Sequence, residues 1–345
     1  MKLKSFYLAL LAAIVLIGCS KSEDFSSFNE DDTVPEIEIG LVYRPASLRN
    51  QEIVFSVFDE DGTNITDGAV FYVNDAALSD NTFSSDTEGT FEIYAEYDDN
   101  GTNVVTDTEN FSVVIPKRKV VIEDHTGTWC GYCPRITEAI ERVYDETNLV
   151  SVVAIHNNDE MAVDFEGLLR DEFEVFGFPT GRINRTSNWS PPYQAEDVTS
   201  MAGEVSPVGI GIDSSIDGNT LSATISVSSE EGLTAKKLVV YLVESGIIAD
   251  QTNYLNNDTN SQYFGQGDPI EDFVHDHVLR ASLTDIFGNA ITSTAALEEY
   301  TTTLTANVPA DYDVSKLELV VMVTEEDNSA VNSQHAKVNE VKAYE

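Results

Sequence analysis

Residues 120–134 read Val120-Val121-Ile122-Glu123-Asp124-His125-Thr126-Gly127-Thr128-Trp129-Cys130-Gly131-Tyr132-Cys133-Pro134. An apolar strand runs into a turn, and the turn delivers two cysteines, separated by two residues, to the start of a helix. The helix is marked by Ile136, Ala139, Ile140, Val143 and Tyr144 at i, i+3, i+4, i+7 and i+8. Pro134 falls in its first turn, where a missing N–H is harmless. Unpaired N–H groups at a helix start favour negative charge, so Cys130 loses its proton more readily than a free thiol and is the candidate attacking thiolate. Cys133, one turn inward, is placed to resolve a mixed disulfide.

Two other uses of a CxxC pair are disfavoured. Zinc needs a second pair of ligands, and Cys19 is the one remaining cysteine; covalent haem attachment needs His after the second cysteine, where this chain has Pro134. Asp124 lies six residues before Cys130, at the end of the incoming strand, where a carboxylate beneath the cysteines could relay the proton of Cys133. Further on, Phe176-Gly177-Phe178-Pro179-Thr180 closes a second helix and opens a strand.

Together, Trp129-Cys130-Gly131-Tyr132-Cys133 and Gly177-Phe178-Pro179-Thr180 resemble the thioredoxin superfamily. That resemblance implies a cis bond before Pro179 and a place for this proline against the cysteines. The longer string Glu123 to Pro134, with a lipoprotein start and an all-β tail, resembles the twenty-eight-kilodalton outer-membrane protein family of Bacteroidota-type bacteria. It implies an address more firmly than a reaction. Carried over residue by residue, it marks Cys130, Cys133 and Pro179, with Asp124 beside them.

The start of the chain reads as an address. Lys2 and Lys4 precede an apolar run from Tyr7 to Ile17, and Leu16-Ile17-Gly18-Cys19 is a lipoprotein cleavage box. Residues 1–18 are therefore expected to be a signal peptide and Cys19 the lipidated N-terminus, held in the outer membrane by its acyl chains. Residues 19–33, rich in Ser, Asp, Glu and Asn, read as a disordered tether. Within it, Lys21-Ser22-Glu23-Asp24 resembles the acidic tags of cell-surface lipoproteins. With Cys19 lipidated, Cys130 and Cys133 are left free to pair with each other.

Composition narrows the partners. The formal charge is −41, and losing the leader with Lys2 and Lys4 takes it to −43. Nucleic acid and anionic membrane faces are repelled by such a chain. Nothing in the sequence calls for a cofactor or a resident metal. Weak calcium binding has one candidate, Asp59-Glu60-Asp61-Gly62-Thr63-Asn64, which lacks the remainder of an EF-hand loop and reads better as a plain acidic hairpin turn.

Periodicity sets the expected architecture: an α/β thioredoxin-like central domain flanked by two all-β sandwich domains. Residues 34–116 alternate in short strands separated by Gly- and Asn-rich turns and suggest an immunoglobulin-like sandwich. Residues 117–206 carry the strand–helix order of the thioredoxin-like domain, although 185–193, with Pro191-Pro192, show no clear strand. Residues 207–345 return to a period of two and suggest a C-terminal β-sandwich, interrupted by a long polar excursion from Asp250 to Asp272. Helix 2 of the central domain is expected to bury Phe165, Leu168, Leu169 and Phe173 on one face.

Three histidine groups stand out. His275-Asp276-His277 offers two imidazoles on one face of a strand, half of a metal site without a visible third ligand. His125 could stabilise a thiolate if charged, or simply pack the turn. His156-Asn157-Asn158-Asp159-Glu160 sits at the C-terminal end of a strand, where α/β proteins bind ligands. The sequence thus supports thiol–disulfide exchange on exported proteins that carry thiols or disulfides. The alternative is a surface binding or adhesion lipoprotein in which the Cys130–Cys133 disulfide is structural.

Overall fold

The computed structural model describes residues 40–99 and 101–345. The signal peptide, Cys19 and the tether lie outside the described residues. Among the described residues strand dominates, and helix is confined to α1 (Pro134–Glu146), α2 (Glu166–Glu172), α3 (Glu196–Thr199) and two short 3-10 turns.

The organising element is one nine-stranded mixed sheet. Its order runs through strands Ser187–Trp189, Thr180–Ile183, Val120–Thr126, Val150–His156, Val278–Ser282, Lys237–Glu244, Leu317–Thr324 and Ala330–Lys337, with Asn289–Ala290 as a side branch on Lys237–Glu244. Val120–Thr126 and Val150–His156 are parallel in full register, Val120 opposite Val150 and Thr126 opposite His156. Both are buried along their whole length, as their near-continuous apolar sequences require.

This topology corrects the expected fold class. The chain is predominantly β, and no self-contained α/β thioredoxin-like core stands between two separate sandwiches. The edge of Val150–His156 that would close such a core is joined instead to Val278–Ser282, with Ala154 opposite Val278. From there the sheet passes into the C-terminal strands. Strand periodicity marks which residues pair but carries no information on which distant partner takes a free edge, so local pattern divided what the backbone hydrogen bonds unite.

Packing follows from the alternation of side chains. On one face, Val120, Ile122, Val150 and Val152 meet Ile136, Ala139, Ile140 and Val143 of α1. Burying each of the valines and isoleucines contributes roughly 1.5–3 kcal/mol, which fixes the helix that carries the cysteines. On the opposite face, Val121, Val153 and Ile155 share a core with Leu169 and Phe173 and with Val239, Tyr241, Val243, Val320 and Met322. Leu168, expected inward, is 54% exposed. The other face of the C-terminal strands packs Leu238, Val240, Leu242, Leu319 and Val321 against the strands Val208–Asp217 and Thr220–Ser229 of a four-stranded second sheet. A Ser187–Trp189 strand is also present, paired with Gly181–Ile183 despite the prolines that follow.

The N-terminal strands enclose their own aromatic core around Phe55, Phe71 and Phe111. They are tied to the remainder by Arg49, which donates twice to Glu230 at 2.7 and 2.8 Å, and by Gln51, whose amide donates to Ser228 Oγ and the Leu297 carbonyl. The described residues form one compact unit.

Candidate functional site

Cys130 and Cys133 are joined in a disulfide at the mouth of α1. Cys133 is the N-cap residue and Pro134 the first helical position. The turn is locally closed, with Cys130 N–H donating to the Gly127 carbonyl and Cys133 N–H to the Cys130 carbonyl. Both cysteines are buried, at 4% and 1% exposure, whereas Trp129 and Tyr132 beside them are each 45% exposed. Trp129 Nε1 donates to the Asn157 carbonyl at 2.7 Å, and its ring meets Phe178 edge-on at 5.4 Å. The Phe178–Pro179 bond is cis. The Phe178-Pro179 segment thereby contacts Trp129, the residue before Cys130.

Asp124 lies on the α1 face of its strand, alternating with Val120 and Ile122. It lines a cavity of about 110 Å³ together with Thr137, one helical turn beyond Cys133, and His156, Gln251, Phe273 and His275. Its Oδ1 has no hydrogen-bond partner, and burial pushes the carboxyl up to about 8. At neutral pH Asp124 is therefore mostly protonated, an acid that can give a proton to a leaving thiolate and recover it later.

The histidines divide differently from the sequence reading. His125 alternates with Asp124 and faces the other side of the sheet, fully buried, with neither ring nitrogen partnered; burial holds it down to about 4. A neutral imidazole on the far face cannot stabilise a thiolate, so His125 packs. His156 lies at the cavity, its Nδ1 2.8 Å from Asp159 Oδ2, and His275 meets it at 5.2 Å between ring centroids. His277 does not share a strand face with His275: the strand ends at His275, and His277 takes φ 57° and stacks on Tyr144. Among the described residues, no three His, Cys, Asp or Glu side chains are placed to hold a metal ion. The Asp59 loop is a hydrogen-bonded turn, in which Asp59 Oδ1 accepts the N–H groups of Asp61 and Thr63.

Asp159 supports the turn before the cysteines, its Oδ2 accepting the Thr128 N–H at 2.9 Å. Burial works to raise this carboxyl, but the bonds from His156 and from the Thr128 and Met161 amides hold it below the usual range.

Sequence reasoning missed the part played by the polar excursion. Residues 251–270 form a strap with a small core of Leu255, Tyr263 and Ile270, and the strap grips the cysteine turn. Gln251 Nε2 donates to the Cys130 carbonyl at 3.0 Å and to the Thr128 carbonyl at 3.2 Å. Thr252 N–H donates to Thr128 O and Tyr254 N–H to Gly131 O, both at 2.8 Å. Ser261 and Gln262 reach Glu138 and Glu141 of α1. The length of the excursion was the signal available; its docking partner, 120 residues earlier in the chain, was not.

Tyr254 also explains Gly131, because a Cβ there would lie 2.4 Å from the Tyr254 ring. Gly131→Ala is expected to dislodge the strap, costing about 1–3 kcal/mol and raising limited-proteolysis rates within residues 255–268 at least tenfold. An unchanged cleavage pattern would show that the contact is dispensable.

The geometry defines a class: a predominantly β protein with a disulfide at the start of a helix whose next turn lines a cavity holding a buried carboxylic acid. Within that class the chain belongs to the Omp28 family, described as outer membrane protein Omp28, whose model matches residues 167–342, just over half of the sequence. The match begins downstream of Cys133 and does not reach the disulfide. Among solved structures, HBP35 of Porphyromonas gingivalis is similar at 19% identity and a TM-score of 0.52, over 66% of this chain and 77% of that one, a likeness of fold. A domain of the outer membrane lipoprotein Omp28 from Porphyromonas gingivalis also shares 19% identity, over 39% of this chain and 91% of that one, with a TM-score of 0.25, too low to bear on the fold. No curated protein matches. The protein is an outer membrane protein.

Proposed function

We propose that this outer membrane protein, anchored through lipidated Cys19, exchanges disulfides with thiols of exported proteins through Cys130 and Cys133. The observation that supports the reading is the disulfide that joins Cys130 and Cys133 at the start of α1, the helix whose Thr137 lines the cavity holding the Asp124 carboxyl. A substrate thiolate attacks Cys130 Sγ, breaking the Cys130–Cys133 bond and forming a mixed disulfide; Cys133 leaves as a thiolate and takes the Asp124 proton. A second substrate thiolate then displaces Cys130. The substrate dithiol is oxidised to a disulfide, the protein pair is reduced to two thiols, and reversal gives the opposite direction. Pro179, next to the Phe178 that meets Trp129, is the residue along which an extended substrate chain would pass in this reading.

A static staple is the second reading, and the burial of both cysteines favours it. The reduction potential of the pair, measured by equilibrating the protein in defined thiol buffers and counting free thiols, separates the two. A value above about −280 mV places the pair among exchangeable disulfides; a value below about −300 mV marks a structural bond and sinks the exchange reading.

Replacing Cys133 by Ala removes the resolving thiol. Under exchange, this variant is expected to accumulate mixed disulfides through Cys130 with exported proteins, visible as reducible high-mass bands that Cys130→Ala lacks. Identical band patterns in the two variants count against the mechanism.

A further inference from the structure

Six exposed aromatic side chains occur among the described residues: Trp129, Tyr132, Tyr144, Phe176, Tyr254 and Phe264. All six lie on the cysteine turn, α1, the loop before Pro179 or the strap. The N-terminal strands and the second sheet, which make up much of the molecule, contribute none. Scattered exposed apolar residues are ordinary, but aromatic side chains gathered around one feature mark an interaction surface.

Contacts tie the gathering to the cysteine turn. Phe178 meets Trp129, the residue before Cys130, and Tyr132, which lies between the cysteines in the chain, meets Tyr254 edge-on at 5.3 Å. Phe176, two residues from Phe178, is 93% exposed, and Tyr254 is 60% exposed. Trp129 and Tyr132, one ring of each pair, flank Cys130 in the chain, and both cysteines lie buried beside them. A disulfide with both cysteines under 5% exposure is reached by a slender, extended chain and not by a cysteine set in a folded surface.

The surroundings are strongly acidic. From Pro134 to Phe178 the chain holds eleven acidic residues against three arginines, and the strap from Gln251 to Ile270 adds two aspartates and no cation. One of those arginines, Arg135, lies over the Tyr132 ring at 4.5 Å, which shows the rim rings accepting a guanidinium on their faces.

We propose that the aromatic rim formed by Trp129, Tyr132, Phe176, Phe178 and Tyr254 is a docking surface for unfolded polypeptide segments in which a cysteine is flanked by aromatic and cationic residues. The inference rests on the exchange reading and names the substrate class of that same site. The rings supply stacking and cation–π contacts, and the acidic field draws a basic segment toward the disulfide and repels an acidic one. A cysteine at the centre of the segment then meets Cys130.

The test uses the full-length oxidised protein and three synthetic peptides with a central cysteine: one flanked by Tyr and Lys, one by Tyr and Glu, one by Gly and Ser. Mixed-disulfide formation is followed at low and at high salt, with glutathione as a small-thiol reference. The Tyr/Lys peptide is expected to react at least tenfold faster than the other two, and its lead over the Tyr/Glu peptide is expected to shrink in high salt. Phe176→Ser and Tyr254→Ser should each bring the ratio of Tyr/Lys to Gly/Ser rates toward one. Equal rates for all three peptides, while glutathione reacts, overturn the docking surface and leave exchange standing. Absence of reaction with every peptide and with glutathione overturns the exchange reading itself. Quenching of Trp129 fluorescence by neutral oligosaccharides, with no response to any peptide, would assign the rim to glycans and overturn the proposal.

Discussion

Replacing Asp124 by Asn is expected to make the oxidised protein more stable at pH 8 than the parent, although a buried charged residue type is being removed. The sign follows from the titration. Burial raises the folded-state carboxyl to about 8, whereas the unfolded chain titrates near 3.8. Between these values the folded protein holds a proton that the unfolded chain has released, so the parent loses stability as pH rises through that window. A shift of this size corresponds to about 5–6 kcal/mol across the window. The asparagine amide does not titrate. The stability difference between variant and parent should therefore grow by several kcal/mol from pH 4.5 to pH 8, read from denaturant unfolding at each pH with the disulfide intact. A difference that changes by less than about 1 kcal/mol would mean that Asp124 is hydrated and ionised in the folded state. The same variant lacks the proton donor proposed for Cys133, so its mixed-disulfide formation should be slowest relative to the parent near neutral pH.

Removing the charge of Glu123 should have the opposite consequence for stability. Glu123 and Arg185 form an ion pair with both side chains at zero exposure. Arg185 donates to Glu123 Oε1 at 2.9 and 2.7 Å, and to Tyr241 Oη at 2.9 Å. Burial opposes the charge on Arg185, but Glu123 and Tyr241 outweigh it and raise the guanidinium pKa. Glu123→Gln keeps the shape and leaves a buried guanidinium without its counter-charge, at an expected cost of about 3–5 kcal/mol. The double variant Glu123→Gln, Arg185→Gln should recover much of that loss, because no charge remains buried. Thermal unfolding of the four proteins in a double-mutant cycle measures the coupling; purely additive effects would show that the pair acts as two independent polar groups.

These residues also show what the sequence could and could not reveal. The cysteine pair, the start of α1 and the position of Asp124 are local facts, set by spacing, proline chemistry and alternation, and each was readable. Glu123 and Arg185 were not singled out, because a buried ion pair between residues 62 positions apart has no local signature. Leu168 fits a helical stripe in sequence but points outward, since α2 is only seven residues long and buries Leu169. The Ser187–Trp189 strand escaped because local turn-formers hid a pairing enforced by its neighbour. The strap and the single mixed sheet depend on contacts over more than a hundred residues, which periodicity does not encode.

The long reach of that sheet has a bearing on the order in which the chain can fold. Val150–His156 waits for Val278–Ser282 to complete its hydrogen bonds, and the cysteine turn waits for Gln251 and Tyr254. A chain emerging N-terminus first therefore presents Cys130 and Cys133 before the segment that grips their turn has arrived. Pairings so distant in sequence carry a large loop-closure cost and form slowly. First oxidation of the two thiols thus has its widest opportunity during export, before the strap has docked on the turn that carries them.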